Sequence, residues 1–472
     1  MKPVGLVFKP KTSFDVLKRE LIPSFDSVLE DWLGNVKRTT FADPNYMLEI
    51  TYVTPPFKAF VERIVERLDI PGVIGGPLER SFGFGKTHAL IYLWHLFTSN
   101  IYKRSGISIN VDVVRETLVL GMDCSKDRPL VRIIEELKAY TDMTHPIVRM
   151  KDPLLLRAVV EVLREYRRKL YSLSSEELAE LISKIMEKYS ELGGSPRLLL
   201  LIDELGWGFA QKIRSFTDKI REGKRSEADA IYNEANTIVN FLSYLYAKLY
   251  GKSVAGVVLW VLAEQDRKEI EALAIKNQDN ETIYNKIKGL LNDLDVIAER
   301  YSRGLGGTGL AELSYSPEHA LEIARYRILK TVEGISLAKL QDEYISWLEV
   351  IAKQLNLVEA FIHYKEEMKK YYPFSLGLIN LLKKLMSARD VPATEFVRTV
   401  IMVASEASRK ALHADPEGPC TIGVKHLNIP GTVQAKLMRE FEADWADAAG
   451  DVELALSKIE PDKREAAETA AK

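Results

Sequence analysis

The pattern of hydrophobic positions along this chain changes at about residue 266. Before that point, short unbroken apolar runs alternate with stretches whose apolar residues recur every three or four positions. After it, only the helical spacing continues to the C-terminus. Residues 57–68 place Phe57, Phe60, Ile64, Val65 and Leu68 on one face, which predicts an amphipathic helix. Pro71 and Gly72 end it, and GVIGG (72–76) reads as a short strand feeding a glycine-containing loop. KTHALIYLWHLF (86–97) is apolar enough for a buried helix. ETLVLGMD (116–123), LLLLID (198–203) and VAGVVLWVLAEQ (254–265) read as further strands. LLLLID has no alternation at all, the pattern of a central parallel strand covered on both faces. Residues 152–192 and 226–249 carry helical spacing.

Strands alternating with helices, then helices alone, predict an α/β domain with a mainly parallel sheet followed by an all-helical domain. The expected divisions are an N-terminal arm or linker over 1–56 and an α/β core over 57–310. That core would carry a helical insertion at about 145–195. A helical lid over 311–410 and a C-terminal helical extension over 411–472 complete the chain.

Composition narrows the function classes. Apolar residues make up 46% and charged residues 28% of the 472, which is a globular balance. Lys plus Arg is 65 and Asp plus Glu is 67, a net charge of −2. A polyanion partner could therefore be met only by a local patch. Cys124 and Cys420 lie far apart in sequence, so neither a disulfide framework nor a CxxC zinc site is possible. The seven histidines include no HExxH or other pair at ligand spacing, which argues against a histidine metal enzyme. The apolar run at the N-terminus is too short for a signal peptide. The longest apolar stretch, Val254 to Ala263, is about half of what a bilayer span needs. A cytoplasmic protein without a membrane segment is expected.

The first chemical motif is Arg80-Ser-Phe-Gly-Phe-Gly-Lys-Thr87, placed after a strand and opening a helix. Gly83 and Gly85 would let the backbone curl so that several N–H groups face one phosphate, and the helix N-terminus adds its dipole. Lys86 would bridge phosphate oxygens, and the Thr87 hydroxyl would ligate Mg²⁺. The full pattern GxxxxGK[ST] has glycine where this chain has Arg80. LLLLIDE (198–204) supplies a partner, because ligands gather at the carboxyl ends of parallel strands. Asp203 would hold the metal through water, and Glu204 would polarise an attacking water.

These residues carry a resemblance. GFGKTH (83–88), LIDE (201–204) and the helical C-terminal region look like an AAA+-type P-loop ATPase. FADPNYMLEITYVTPPF (41–57), His88 after the GKT, and YPF (372–374) before a long helical run resemble a narrower group. These are the large prokaryotic P-loop ATPases catalogued as a domain of unknown function and often encoded beside DNA methylases in defence loci. The resemblance spans roughly residues 40–410. It implies ATP and Mg²⁺ as cofactors, with Gly83, Phe84, Gly85, Lys86, Thr87, His88 and Asp203 holding the nucleotide and Thr87 and Asp203 the metal. It also implies a homo-oligomer and, as partners, DNA or other defence-system proteins.

The same resemblance calls for a polar residue at a strand tip, and Gln265 is the candidate to contact the γ-phosphate or the attacking water. An ordinary polar strand end is the other reading. Arg300 and Arg303 are candidates for a finger acting on a neighbouring subunit, or else for a solvated helix end where arginines suit the dipole. Arg398, in the apolar helix ATEFVRTVIMVA, resembles the lid arginine that reports the γ-phosphate. An adenine pocket is expected near Tyr52, Thr54, Pro55 and Pro71. The basic run 212–225 is either a DNA contact with strong salt dependence or a solvated stretch balanced by its own acids. The resulting expectation is an ATPase that turns nucleotide state into remodelling or movement of a partner. The alternative is a nucleotide-gated DNA- or protein-binding switch with little turnover.

Overall fold

The computed structural model describes residues 1–14, 23–35, 39–78, 85–303, 316–387, 396–413 and 418–427. Four strands form a parallel sheet: β2 (Gly72–Leu78), β3 (Thr117–Asp123), β4 (Arg197–Asp203) and β5 (Ala255–Val261). Their spatial order is β2-β5-β4-β3, so the strand that comes last in sequence is inserted between the first and the third. Asp123 stands opposite Asp203 in the register, which brings the carboxyl ends of β3 and β4 level. Every residue of β3 and β5 is buried. Burial on both faces is why these strands read as unbroken apolar runs.

Helices cover both faces. In the core these are α1 (Pro55–Arg67), α2 (Lys86–Thr98), α3 (Pro129–Ala139), α4 (Pro153–Tyr166), α5 (Ser175–Glu191), α6 (Leu205–Arg221), α7 (Arg225–Leu249), α8 (Glu264–Lys276) and α9 (Glu281–Ser302). Val119, Leu199, Leu201 and Val257 pack with α1 and α2 on one face. Leu118, Leu200, Ile202 and Val258 pack with α3 to α9 on the other. The helices expected as an insertion, α4 and α5, pack on each other, and α5 packs on α7. Helix α2 is buried from Ala89 through Thr98, so it runs as a rod through the interior.

The outer edge of β3 is closed by side chains of α3 and the residue after it. The Tyr140 hydroxyl accepts from Val119 N (3.0 Å) and donates to Val119 O (2.9 Å). The Glu136 carboxyl accepts from Gly121 N at 2.6 Å. Polar groups of an edge strand that would otherwise be open are thereby satisfied.

A second core is helical, as expected. It comprises α10 (Pro317–Ile328), α11 (Leu337–Gln354), α12 (Val358–Tyr371), α13 (Leu376–Ser387) and α14 (Phe396–Leu412). Of residues 1–56, expected as an arm or linker, residues 1–14 belong to this body, whereas the helices Phe25–Trp32 and Pro44–Ile50 pack on the α/β core. β1 (Phe8–Pro10) pairs antiparallel with β6 (Leu329–Thr331), and Val4, Val7 and Phe8 bury beside Leu321 and Ala324. Most of the expected extension 411–472 lies outside the described residues. Ile422 and Leu427, which are described, pack into the helical core.

The two bodies meet where α10 ends. Lys11 Nζ donates to Glu49 O at 3.1 Å and stands 3.2 Å from the centroid of the Tyr326 ring. Tyr326 packs on Tyr52 with ring centroids 5.2 Å apart, and Lys330 pairs with Glu49 at 3.8 Å. Among the described residues, no helix is long and apolar enough to cross a membrane.

Candidate functional site at the carboxyl end of the sheet

β2 precedes α2 in the chain, and the start of α2 decides what the helix can do. Arg80, Gly83 and Phe84 lie outside the described residues. Gly85 is described and is the N-cap of α2, with φ of 75°, a left-handed conformation that glycine adopts without steric cost. Gly85, Lys86, Thr87 and His88, at the start of α2, line a cavity between the two bodies. That cavity has a volume of about 140 Å³.

Lys86 is the first residue of α2 and only 5% exposed. Burial pulls its pKa down to about 8, against the pull of Asp266, Asp203 and Glu204, which favour its charged form. Thr87 Oγ1 donates to Asp203 Oδ1 at 3.3 Å. Asp203 ends β4, and burial pushes its pKa well above the usual carboxylate range, with Glu204 and Asp123 adding to the rise. Glu204 follows with φ of 53°, a left-handed conformation that costs a non-glycine residue energy. It lines the cavity, and its pKa is pushed up to about 7 by burial and then by Asp123 and Asp266, while Lys86 and Arg398 oppose the rise. Helix α6 starts immediately after it. A Cβ at Gly206 would lie 2.7 Å from Asp266 Oδ2, so glycine there lets the first turn of α6 seat against Asp266.

Asp266, not Gln265, is the residue from the β5 end that meets this cluster. β5 stops at Val261 and α8 begins at Glu264, so the strand tip expected at 264–266 is the first turn of a helix. Successive helical residues point about 100° apart. Gln265 is exposed, and Asp266 is turned inward and is 3% exposed. Burial raises the Asp266 pKa to about 6. Asp123 was not anticipated either. It accepts from Ser125 N at 2.9 Å and Ser125 Oγ at 2.6 Å. The signal was present in the sequence, since TLVLGMD ends in an acid as LLLLID does.

His88 lines the same cavity and turns towards Thr51. Its Nε2 lies 2.8 Å from Thr51 Oγ1, and that hydroxyl donates to Met47 O at 2.6 Å. The Thr51 proton is thus committed, so His88 donates from Nε2. Burial, reinforced by Arg327, pulls the His88 pKa down to about 3, so the ring is neutral at pH 7.

The helical body contributes two arginines to the cavity wall, Arg398 from α14 and Arg327 from α10. Arg398 was expected. Arg327 was not, although it occupies the apolar face of α10 with Ala320, Ala324 and Ile328. That is the same signal that singled out Arg398. Of the residues expected around adenine, Tyr52 lines the cavity. Thr54 caps α1 by accepting from Phe57 N, and Pro55 is the first residue of that helix. Pro71 precedes β2 at the opposite end of the strand.

Arg300 and Arg303 do not line this cavity. Arg300 Nη1 donates to Ser243 Oγ at 3.1 Å, and Arg303 pairs with Glu299 at 2.9 Å on an exposed helix end. The basic run is neutralised locally. Lys212 pairs with Glu234 (2.9 Å), Arg214 with Glu269 (2.5 Å), Lys219 with Glu222 (3.1 Å) and Lys224 with Glu222 (2.9 Å). Glu222 lies within the run, whereas Glu234 and Glu269 come from α7 and α8. Among the described residues, no group of three or more His, Cys, Asp or Glu side chains could hold a metal ion. Thr87 and Asp203 together offer two oxygen donors. No protein-family model matches the chain, and neither does any curated protein or solved structure.

Proposed function

We propose that the chain is an Mg²⁺-dependent ATP-hydrolysing protein of the P-loop, AAA+-like kind, in which nucleotide state controls how the helical body sits against the α/β core. One observation carries this reading. A buried lysine at a helix start, a hydroxyl–carboxylate pair and a carboxyl tuned to about 7 converge at the carboxyl end of a parallel sheet, opposite an arginine from a second body.

The donor set fits Mg²⁺. The Thr87 hydroxyl and the Asp203 carboxylate are hard oxygen ligands, and Mg²⁺ keeps several waters and substrate phosphates rather than needing an all-protein cage. When bound, the ion would neutralise charge on phosphate oxygens. Lys86 exchanges carboxylate partners for phosphate oxygens. The N–H groups at the start of α2 receive the anion. Glu204 takes the proton of the attacking water, and a pKa near 7 suits a base working at neutral pH. Arg398 approaches Glu204 from the helical body and meets the terminal phosphate.

A second reading, a nucleotide-gated switch with little turnover, draws support from Arg300 and Arg303 being engaged away from the cavity. Neither of these two candidates then serves this cavity within one chain, and a neighbouring copy would have to supply the finger arginine. Partner DNA and defence-system proteins belong to this proposal only through the resemblance. The test is phosphate release from Mg·ATP across a range of protein concentrations. Hydrolysis is expected to vanish with Lys86→Ala. With Glu204→Gln it should fall by roughly 100-fold or more while ATP binding is kept. Normal turnover in both variants would sink the site. Tight binding with negligible turnover at every concentration would favour the switch.

A further inference from the structure

The two arginines of the helical body stand near different ends of the cavity. Arg398 is felt by Glu204, at the carboxyl end of β4. Arg327 follows Tyr326, whose ring packs on Tyr52, the neighbour of Thr51, so it lines the cavity on the side of the Thr51–His88 contact. Arg327 is 8% exposed and sits in the last turn of α10. Its backbone is not free to swing. Its neighbour Tyr326 packs between Tyr52 and Lys11, and Lys330, three residues on, pairs with Glu49. The guanidinium is therefore presented to the start of α2 by a helix end that these contacts tie to the α/β core, while the rest of α10 packs along α14.

If the functional reading holds, the terminal phosphate lies beside Glu204, and the remaining phosphates run back along the start of α2 towards His88. We infer that Arg327 binds a non-terminal phosphate of the nucleotide, so that it holds ADP and ATP alike, while Arg398 distinguishes the two. A guanidinium can engage a phosphate with two parallel hydrogen bonds, which an ammonium cannot reproduce. One consequence concerns movement. The helical body keeps one cationic contact after the γ-phosphate has gone, so it is released by loss of ADP and not by hydrolysis alone.

The experiment is calorimetric binding of ADP and of Mg·ATP to the full chain carrying Glu204→Gln, so that ATP is not consumed. Adding Arg327→Ala should weaken both nucleotides by a similar factor, roughly tenfold or more. Adding Arg398→Ala should weaken ATP much more than ADP. Arg327→Lys should recover only part of the loss. It also serves as the second variant if Arg327→Ala unfolds the protein, as judged by its melting transition. A loss confined to ATP would put Arg327 at the terminal phosphate and overturn the inference. So would unchanged affinity for both nucleotides in a protein that binds them. A parent that binds neither nucleotide overturns the functional reading itself, and this inference with it.

Discussion

Helix α2 has a buried lysine at each end, and the two are held in opposite ways. At its start, Lys86 faces Asp266, Asp203 and Glu204. At its end, Lys151 donates to three backbone carbonyls, Phe97 O (2.9 Å), Val114 O (2.8 Å) and Thr117 O (2.6 Å). Lys151 is 2% exposed, and burial alone pulls its pKa down to about 7. A helix C-terminus favours a cation, and a helix N-terminus disfavours one. Lys151 sits among fixed backbone acceptors that meet its N–H groups, with no ionisable side chain among its hydrogen-bond partners. Lys86 sits where the helix repels it, and ionisable side chains hold it there. Those side chains can take up protons, or a bound anion can replace them as partners. The first arrangement is a structural tie, and the second is one a ligand can enter.

Substituting each lysine should separate the two roles. Lys151→Met leaves three buried carbonyls without their donor, and the expected cost is about 3–5 kcal/mol. Lys86→Met should cost about 1 kcal/mol or less near neutral pH. The carboxyls around it, with pKa values of about 6 and 7, can protonate in compensation. Urea unfolding of both variants, without nucleotide, measures this difference. Equal losses would mean that Lys86 is a structural tie as well. Adding nucleotide should raise the midpoint of the Lys151 variant and leave that of the Lys86 variant unchanged.

The same comparison predicts opposite pH slopes. The Lys151 pKa falls from 10.5 to about 7 on folding, so the unfolded chain binds more protons between those values. Its stability contribution is complete above pH 10.5 and is lost as pH falls through about 7. The Glu204 pKa rises from 4.5 to about 7, so the folded chain binds more protons in that window. Its contribution is complete below pH 4.5 and is lost as pH rises through about 7. Unfolding free energies measured across pH 5 to 10 should show this by difference. Wild type minus Lys151→Met should climb between pH 7 and 10. Wild type minus Glu204→Gln should fall between pH 5 and 7. A flat Glu204 difference would mean an ordinary carboxylate. Hydrolysis should then also lose its expected increase with pH through about 7.

What the sequence made legible follows from these physics. Parallel strands buried on both faces must be apolar throughout, so β3, β4 and β5 stood out. Lys86, Thr87, Asp203 and Glu204 were readable because each adjoins a strand end or a helix start. Choosing Asp266 over Gln265 needed the phase of α8, which depends on where β5 stops. Three-residue strands such as β1 and β6 are too short to show alternation, so the N-terminal residues gave no sign of joining the helical body. Lys151 is one lysine just before a helical stretch, and its acceptors come from 34 to 54 positions away. Nothing local marks it.

The smallest predicted effect tests whether a raised carboxyl implies chemistry. Glu136 is fully buried against the edge of β3, and burial pushes its pKa well above the usual carboxylate range, as it does for Asp203. Glu136 Oε2 accepts from Gly121 N, while Oε1 has no hydrogen-bond partner. An ionised carboxylate with one oxygen unmatched in the interior would be costly, so burial favours the protonated form of Glu136. A neutral carboxyl has nearly the shape of an amide. Glu136→Gln should therefore change stability by less than about 1 kcal/mol and leave hydrolysis untouched, while Glu136→Leu strands the Gly121 N–H at about 1–3 kcal/mol. Glu204→Gln should give the reverse profile, with the fold intact and hydrolysis lost. Both glutamates are displaced upward by burial, but only Glu204 opens onto a cavity shared with a second body. A large stability loss in Glu136→Gln would show that Glu136 is ionised, and the edge of β3 would then hold a charge as the carboxyl end of the sheet does.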